Sequence, residues 1–177
     1  MERSKLATVL KALSFAAREH QGQFRKDGRT PYFAHVTRVM TITASFGVDE
    51  AEVLMAAALH DTIEDTQVDR DELVEEFGER VAAWVAALSK DKRLPEEERE
   101  RLYFDVLARA PVEVKLCKLA DTIDNLIDCE GLPKHERHKK LDKARELVEI
   151  FTPGFPERWK HALDLTREQI RATEQAP

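Results

Sequence analysis

The chain has 177 residues, 42% of them hydrophobic and 35% charged, and a formal net charge of −6. That length and balance suit one domain over 1–177 with a sizeable core, and they exclude a disordered chain and a basic surface for a nucleic-acid polymer. The longest apolar run, Val81–Leu88, falls far short of the roughly 18 residues a membrane span needs. No apolar signal core follows Arg3, Lys5 and Lys11, and Cys117 and Cys129 have neither zinc-site nor disulfide-framework spacing, so a cytoplasmic protein with free thiols is expected.

Leu6, Val9, Leu10, Leu13 and Ala17 recur at helical steps and predict a first helix ending near Gln21-Gly22. A basic, turn-forming stretch follows from Arg25 to Pro31. Helices are expected over Phe33–Phe46, stopping at Gly47, and from about Asp49 through to Asp65. Two shorter ones, Asp69–Phe77 and Glu79–Leu88, are separated by Gly78. Ser89–Pro95 reads as a charged loop and Glu96–Ala108 as a helical arm. Pro111 opens a helix running to about Cys129, because proline is tolerated in a first turn. Gly131 and Pro133 break it before a helix over Lys134–Phe151, and Trp159–Thr173 closes the chain. No segment alternates with period two for long enough to make a sheet. The fold class is all-α, and the spacing shows neither an internal repeat nor an interdomain linker.

Chemistry concentrates in Ala56–Asp65. Every residue from Val53 to Leu59 is apolar, which predicts a buried helix, and His60, Asp61, Glu64 and Asp65 then arrive within six positions. On one continuous helix all four share a side. No Lys or Arg lies between Arg38 and Arg70 to neutralise them, and a divalent cation would, although an ordinary charged helix end satisfies the periodicity equally well. His35 falls beside Val39 and Ile42, where a satisfied core histidine is the commoner reading. Asp121, Asn125 and Asp128 lie opposite Leu116, Leu119, Ile123 and Leu126, and periodicity alone makes theirs a solvated acidic face.

Taken together, His20-Gln21-Gly22-Gln23, Arg25-Lys26-Asp27-Gly28, Thr30-Pro31-Tyr32 and His35 form a recognisable series. Ala57–Thr66, Phe77-Gly78, Asp91-Lys92, Leu94-Pro95, Lys118–Asp121 and Asn125-Leu126 continue it. The series resembles the hydrolase domain of the RelA/SpoT homologue family, a branch of the HD superfamily, and especially its stand-alone metazoan SpoT homologue type. The resemblance covers roughly residues 5–150. It implies a multi-helix HD bundle with the metal site in a central cleft. It assigns His35, His60, Asp61 and Asp121 as metal ligands, usually around one Mn²⁺, a chemistry that mixed nitrogen and carboxylate ligation suits. It gives Glu64 and Asp65 the water-handling role, and it places guanine and phosphate on Arg25 and Lys26 and ribose or phosphate on Asn125.

The implied reaction is hydrolysis of ppGpp or pppGpp at the ribose 3′-oxygen, releasing pyrophosphate and GDP or GTP. A second reading is an HD hydrolase on another nucleotide, such as removal of the 2′-phosphate of NADPH. A third is a nucleotide-binding regulatory module without turnover, against which the intact Glu64–Asp65 pair speaks. Two positions depart from the family pattern. Val36 stands where proline usually follows the histidine, and Thr122 replaces a common basic residue, which predicts one missing phosphate or ion-pair contact. Further cations, Lys134, Arg137, Lys139, Lys140, Lys143 and Arg145, lie mostly on a solvated helix face. No synthetase region accompanies the hydrolase motifs, so hydrolysis without synthesis is expected. The net charge leaves the oligomeric state open.

Overall fold

A computed structural model of the chain describes residues 3–129 and 131–176, so the outermost residues of the expected 1–177 domain lie outside the described part. Helices account for the regular structure: α1 (Arg3–Glu19), α2 (Phe33–Ser45), α3 (Ala51–Leu59), α4 (Thr62–Asp65), α5 (Arg70–Phe77), α6 (Glu79–Leu88), α7 (Glu96–Arg109), α8 (Val112–Ile127), α9 (Lys134–Phe151) and α10 (Lys160–Gln175). A single 3-10 turn, Glu157–Trp159, precedes α10. Among the described residues the only extended pairing is the isolated bridge between Phe24 and Pro31. The fold is all-α, as the absence of period-two alternation requires.

The chain divides into two units, one up to Cys117 and one from Lys118 onward, and the division falls inside the continuous helix α8. In the first unit α3 packs against α1, α2 and α6. Every residue from Val53 to Leu59 is buried, as a helix with no polar side must be. Val9, Ala12, Phe15 and Ala16 of α1, Val36 and Val39 of α2, and Val81, Ala82 and Val85 of α6 complete that core. Each fully buried large aliphatic side chain there contributes about 1.5–3 kcal/mol. Phe15 meets Phe77 edge-on, with ring centroids 5.3 Å apart, which fixes the end of α5 against α1. Cys117 is buried under α3, its Sγ 3.7 Å from the Val53 carbonyl, and desolvation pushes its thiol up to about 12. In the second unit α9 and α10 pack together, burying Leu141, Ala144, Leu147 and Phe151 on one helix and Ala162, Leu163, Thr166 and Ile170 on the other.

One expectation is corrected. The helix from Asp49 to Asp65 is not continuous: α3 stops at Leu59, and Asp61, at φ −103° and ψ −1°, separates it from the one-turn helix α4. Side chains compete locally for the backbone at this break. His60 Nδ1 donates to the Ala57 carbonyl at 2.9 Å and Thr62 Oγ1 to the Leu59 carbonyl at 2.7 Å, an alternative to the helical ladder. His60, Asp61, Glu64 and Asp65 therefore do not lie on one regular helix, although the Tyr32 hydroxyl still meets both Asp61 and Asp65.

Candidate metal centre and active site

The break in the helix aims buried His60 and half-buried Asp61 at another buried group, His35. Because a carbonyl can only accept, the Ala57 oxygen fixes the proton of neutral His60 on Nδ1 and leaves its Nε2 lone pair exposed to the site. That Nε2 lies 2.9 Å from Asp61 Oδ2 and 3.1 Å from Nε2 of His35, which α2 holds fully buried. His35 Nε2 stands 3.4 Å from the same Asp61 oxygen. Three electron-pair donors thus face one another at about the spacing that ligands roughly 2.1 Å from a cation adopt. Two imidazole nitrogens and a carboxylate are apt ligands for a divalent ion. The donor set fits such a metal, and His35, as buried as a core residue, faces the other two donors through Nε2.

Glu64 and Asp65 differ sharply in their surroundings. Glu64 Oε2 accepts the Lys90 backbone N–H at 2.9 Å. Burial is the main cause that raises its carboxyl above the ordinary 4.5; the Lys90 N–H opposes the rise, and the nearby Asp61 charge adds to it. Asp65 is tied down instead. Its Oδ1 pairs with Lys92 Nζ, its Oδ2 lies 3.3 Å from the Tyr32 hydroxyl, and its carbonyl accepts from Gln23 Nε2 at 2.7 Å. Burial works against the Lys92 charge, but the hydrogen bond and charge of Asp65 outweigh it and raise the ammonium above its ordinary 10.5.

The basic turn is a built structure rather than a slack loop. Asp27 Oδ1 accepts from the backbone of Arg29 (2.9 Å) and Thr30 (2.8 Å), while Oδ2 accepts from the Thr30 hydroxyl at 2.6 Å. Those hydrogen bonds, the Thr30 hydroxyl foremost, hold the Asp27 carboxyl at about 2. Gly28, at φ +67°, supplies the left-handed residue that closes the turn. Arg25 is thereby set with its guanidinium 5.6 Å from the centre of the Tyr32 ring. Lys26 lies on the same turn, next in sequence to Arg25.

In the second unit, Asp121 is only 6% exposed, which corrects the solvated reading for that residue, while Asn125 is half-buried and Asp128 is exposed. Lys118 Nζ lies 2.6 Å from its Oδ2, and Asn125 Nδ2 donates to its Oδ1. Asn125 Oδ1 in turn faces Lys140 Nζ at 3.5 Å. Thr122, where the family commonly has a basic residue, turns its hydroxyl back to the Lys118 carbonyl at 2.8 Å. Arg145 is committed to Asp142 and Glu174. Val36, in place of proline, keeps an N–H that reaches the Tyr32 carbonyl at 3.4 Å. Tyr32, Gln23, the Lys90 N–H, Lys92 and Lys118 escape a reading by residue type. Their partners on Asp61, Glu64 and Asp65 stand 26 to 42 positions away, and only Lys118 with Asp121 is at a helical spacing visible beforehand.

A buried helix that ends on adjacent histidine and aspartate, with a second buried histidine against them in an all-helical fold, defines the class of HD-type metal-dependent phosphohydrolases. The model of the HD domain matches residues 12–154. The human guanosine-3′,5′-bis(diphosphate) 3′-pyrophosphohydrolase MESH1 is 40% identical over 82% of this chain and 85% of its own length. Its Drosophila melanogaster counterpart is also 40% identical, over 81% and 84%. A solved metazoan orthologue of SpoT, described as hydrolysing ppGpp, superposes with a TM-score of 0.81 at 34% identity, covering 92% of this chain and 95% of that one. The chain belongs to the HD-domain family, in the group that contains these hydrolases. No described helix is long and apolar enough to cross a membrane.

Proposed function

We propose that the chain is a guanosine 3′,5′-bis(diphosphate) 3′-pyrophosphohydrolase, acting on ppGpp or pppGpp with Mn²⁺ held by His35, His60, Asp61 and Asp121. The observation that carries the reading is the convergence of His35 Nε2, His60 Nε2 and Asp61 Oδ2 beside a carboxylate, Glu64, whose affinity for a proton is raised. The relatives' named activity supplies the substrate. Asp121 joins the ligands because it matches the family's fourth position and is a buried carboxylate. We also read 1–177 as one catalytic domain, since the family model runs across the boundary at Lys118. Cys117 and Cys129 are both free thiols, which supports a reducing, cytoplasmic setting.

In this mechanism Arg25 stacks on the guanine and Lys26 neutralises a phosphate, while Asn125 meets the ribose or its phosphate. When bound, the divalent cation supplies positive charge for the reacting diphosphate and makes water more acidic. Glu64 Oε1 or Oε2 takes a proton from the attacking water as its oxygen bonds to phosphorus. The bond from phosphorus to the ribose 3′-oxygen breaks, that oxygen gains a proton, and GDP or GTP leaves with pyrophosphate. Asp65, held by Lys92 and Tyr32, orients the water rather than taking its proton.

Chromatography of products after incubation with ppGpp and Mn²⁺, beside an Asp61→Ala control, tests the reading. GDP plus pyrophosphate from the intact chain and none from the control is expected. Unchanged ppGpp with folded, metal-loaded protein overturns the substrate, and 2′-dephosphorylation of NADPH in parallel tubes would redirect the assignment to that nucleotide.

A further inference from the structure

Tyr32 occupies a place where its hydroxyl does not cap its own helix. It is the N-cap of α2, yet makes no capping hydrogen bond, at a position where Ser, Thr, Asp or Asn is favoured because it does. Its hydroxyl is spent elsewhere. It donates to Asp61 Oδ2 at 2.6 Å and stands 3.3 Å from Asp65 Oδ2. The Asp61 oxygen it meets is the same one that faces His60 Nε2 at 2.9 Å. One phenol therefore touches both a ligand carboxylate and the carboxylate assigned to orient water.

The ring is held from several sides. His20 packs on it with centroids 4.9 Å apart and planes tilted by 32°, and His35 meets it at 5.4 Å and 66°. The Tyr32 N–H donates to the Gln23 carbonyl at 2.9 Å. Gln23 gives its Nε2 proton to the Asp65 carbonyl, so its Oε1 is the acceptor and His20 Nδ1, 2.8 Å away, carries a proton. His20 Nε2 is then buried without a partner among the described residues. Leaving a buried nitrogen unpaired costs free energy, and here the ring that bears it is the one stacked on Tyr32.

We propose that Tyr32 is a positioning residue of this site: its hydroxyl fixes the Oδ2 edge of Asp61 toward the two imidazoles and couples that carboxylate to Asp65, with His20 and Gln23 clamping the phenol in register. The inference rests on the metal-dependent hydrolase reading above, but its first readout needs no substrate. Hydrogen-bond partners of ligating side chains set ligand orientation, and their loss typically costs about 10–100-fold in metal affinity or activity.

The test is Tyr32→Phe, which keeps the ring contacts with His20 and His35 and deletes only the hydroxyl. Isothermal titration of the metal-free protein with Mn²⁺ should show Kd weakened about 10–100-fold, while the melting temperature without metal stays within a few degrees of the parent. At saturating Mn²⁺, kcat for ppGpp should fall about 10–100-fold with KM little changed. Gln23→Glu serves as the second variant, since a carboxylate cannot donate to the Asp65 carbonyl, and it should weaken Mn²⁺ binding less than Tyr32→Phe does. A Tyr32→Phe protein that binds Mn²⁺ within twofold of the parent overturns the proposal. Should the parent leave ppGpp intact, the substrate assignment fails alone and the titration still decides Tyr32.

Discussion

Glu64→Gln separates proton acceptance from every other task at the site. Glutamine preserves the length of the side chain and an acceptor oxygen for the Lys90 N–H, which Glu64 Oε2 now receives at 2.9 Å. What it removes is the capacity to take a proton. Asp65 is poorly placed to substitute, because Lys92 Nζ and the Tyr32 hydroxyl already engage its two oxygens. The expected loss in kcat is that of a general base, about 10²–10⁴-fold or about 3–5 kcal/mol of barrier. Mn²⁺ affinity should stay close to the parent's, since Glu64 is not among the proposed ligands.

The pH dependence follows from burial. Desolvation raises the Glu64 carboxyl above 4.5 in the folded chain, so a base that must be ionised comes into use at higher pH than an ordinary glutamate would. The acidic limb of kcat/KM should accordingly lie above 4.5 and be absent from Glu64→Gln. Stability carries the same sign in another form. An acid whose folded value is raised is fully tolerated while protonated, below 4.5, and its contribution is lost as pH rises through the folded value. Thermal melts should therefore show the glutamine variant gaining on the parent across that window and level beyond it. Steady-state pH profiles with ppGpp and parallel melts measure both. Glu64→Gln turnover within about threefold of the parent, or an unaltered acidic limb, refutes the assignment of Glu64 as base.

Arg25→Ala should raise KM for ppGpp about tenfold or more and leave kcat near the parent's, the pattern of an interaction made equally before and during reaction; initial-rate curves decide it, and a fall in kcat alone would move Arg25 out of the binding role. Cys117, with its thiol pushed up to about 12, should resist iodoacetamide at pH 8 in the native protein and react on denaturation, as mass spectrometry of timed samples would show; rapid native labelling would mean that α8 opens away from α3.

How much of this was legible beforehand depends on whether the deciding contact is local. The apolar run Val53–Leu59 left α3 no side to expose, and it is buried throughout. Lys134–Phe151, bracketed by Pro133 and Thr152-Pro153-Gly154, has the expected limits. Periodicity went astray where side chains took over backbone partners, as His60 and Thr62 do at the end of α3. It also misread Asp121 as solvated, because a polar stripe looks the same whether water or protein covers it, and Asp121 is buried with its carboxylate on Lys118 and Asn125. The motif resemblance supplied the proposed ligands residue by residue, which periodicity could not, but it gave the carboxylates Glu64 and Asp65 one shared task. Their proposed division of labour comes from their surroundings: burial raises the proton affinity of Glu64 against the opposing Lys90 N–H, while Lys92, Tyr32 and Gln23 anchor Asp65. Two adjacent acids on a one-turn helix become unlike because one faces desolvation and the other a cation, and spacing along the chain contains neither fact.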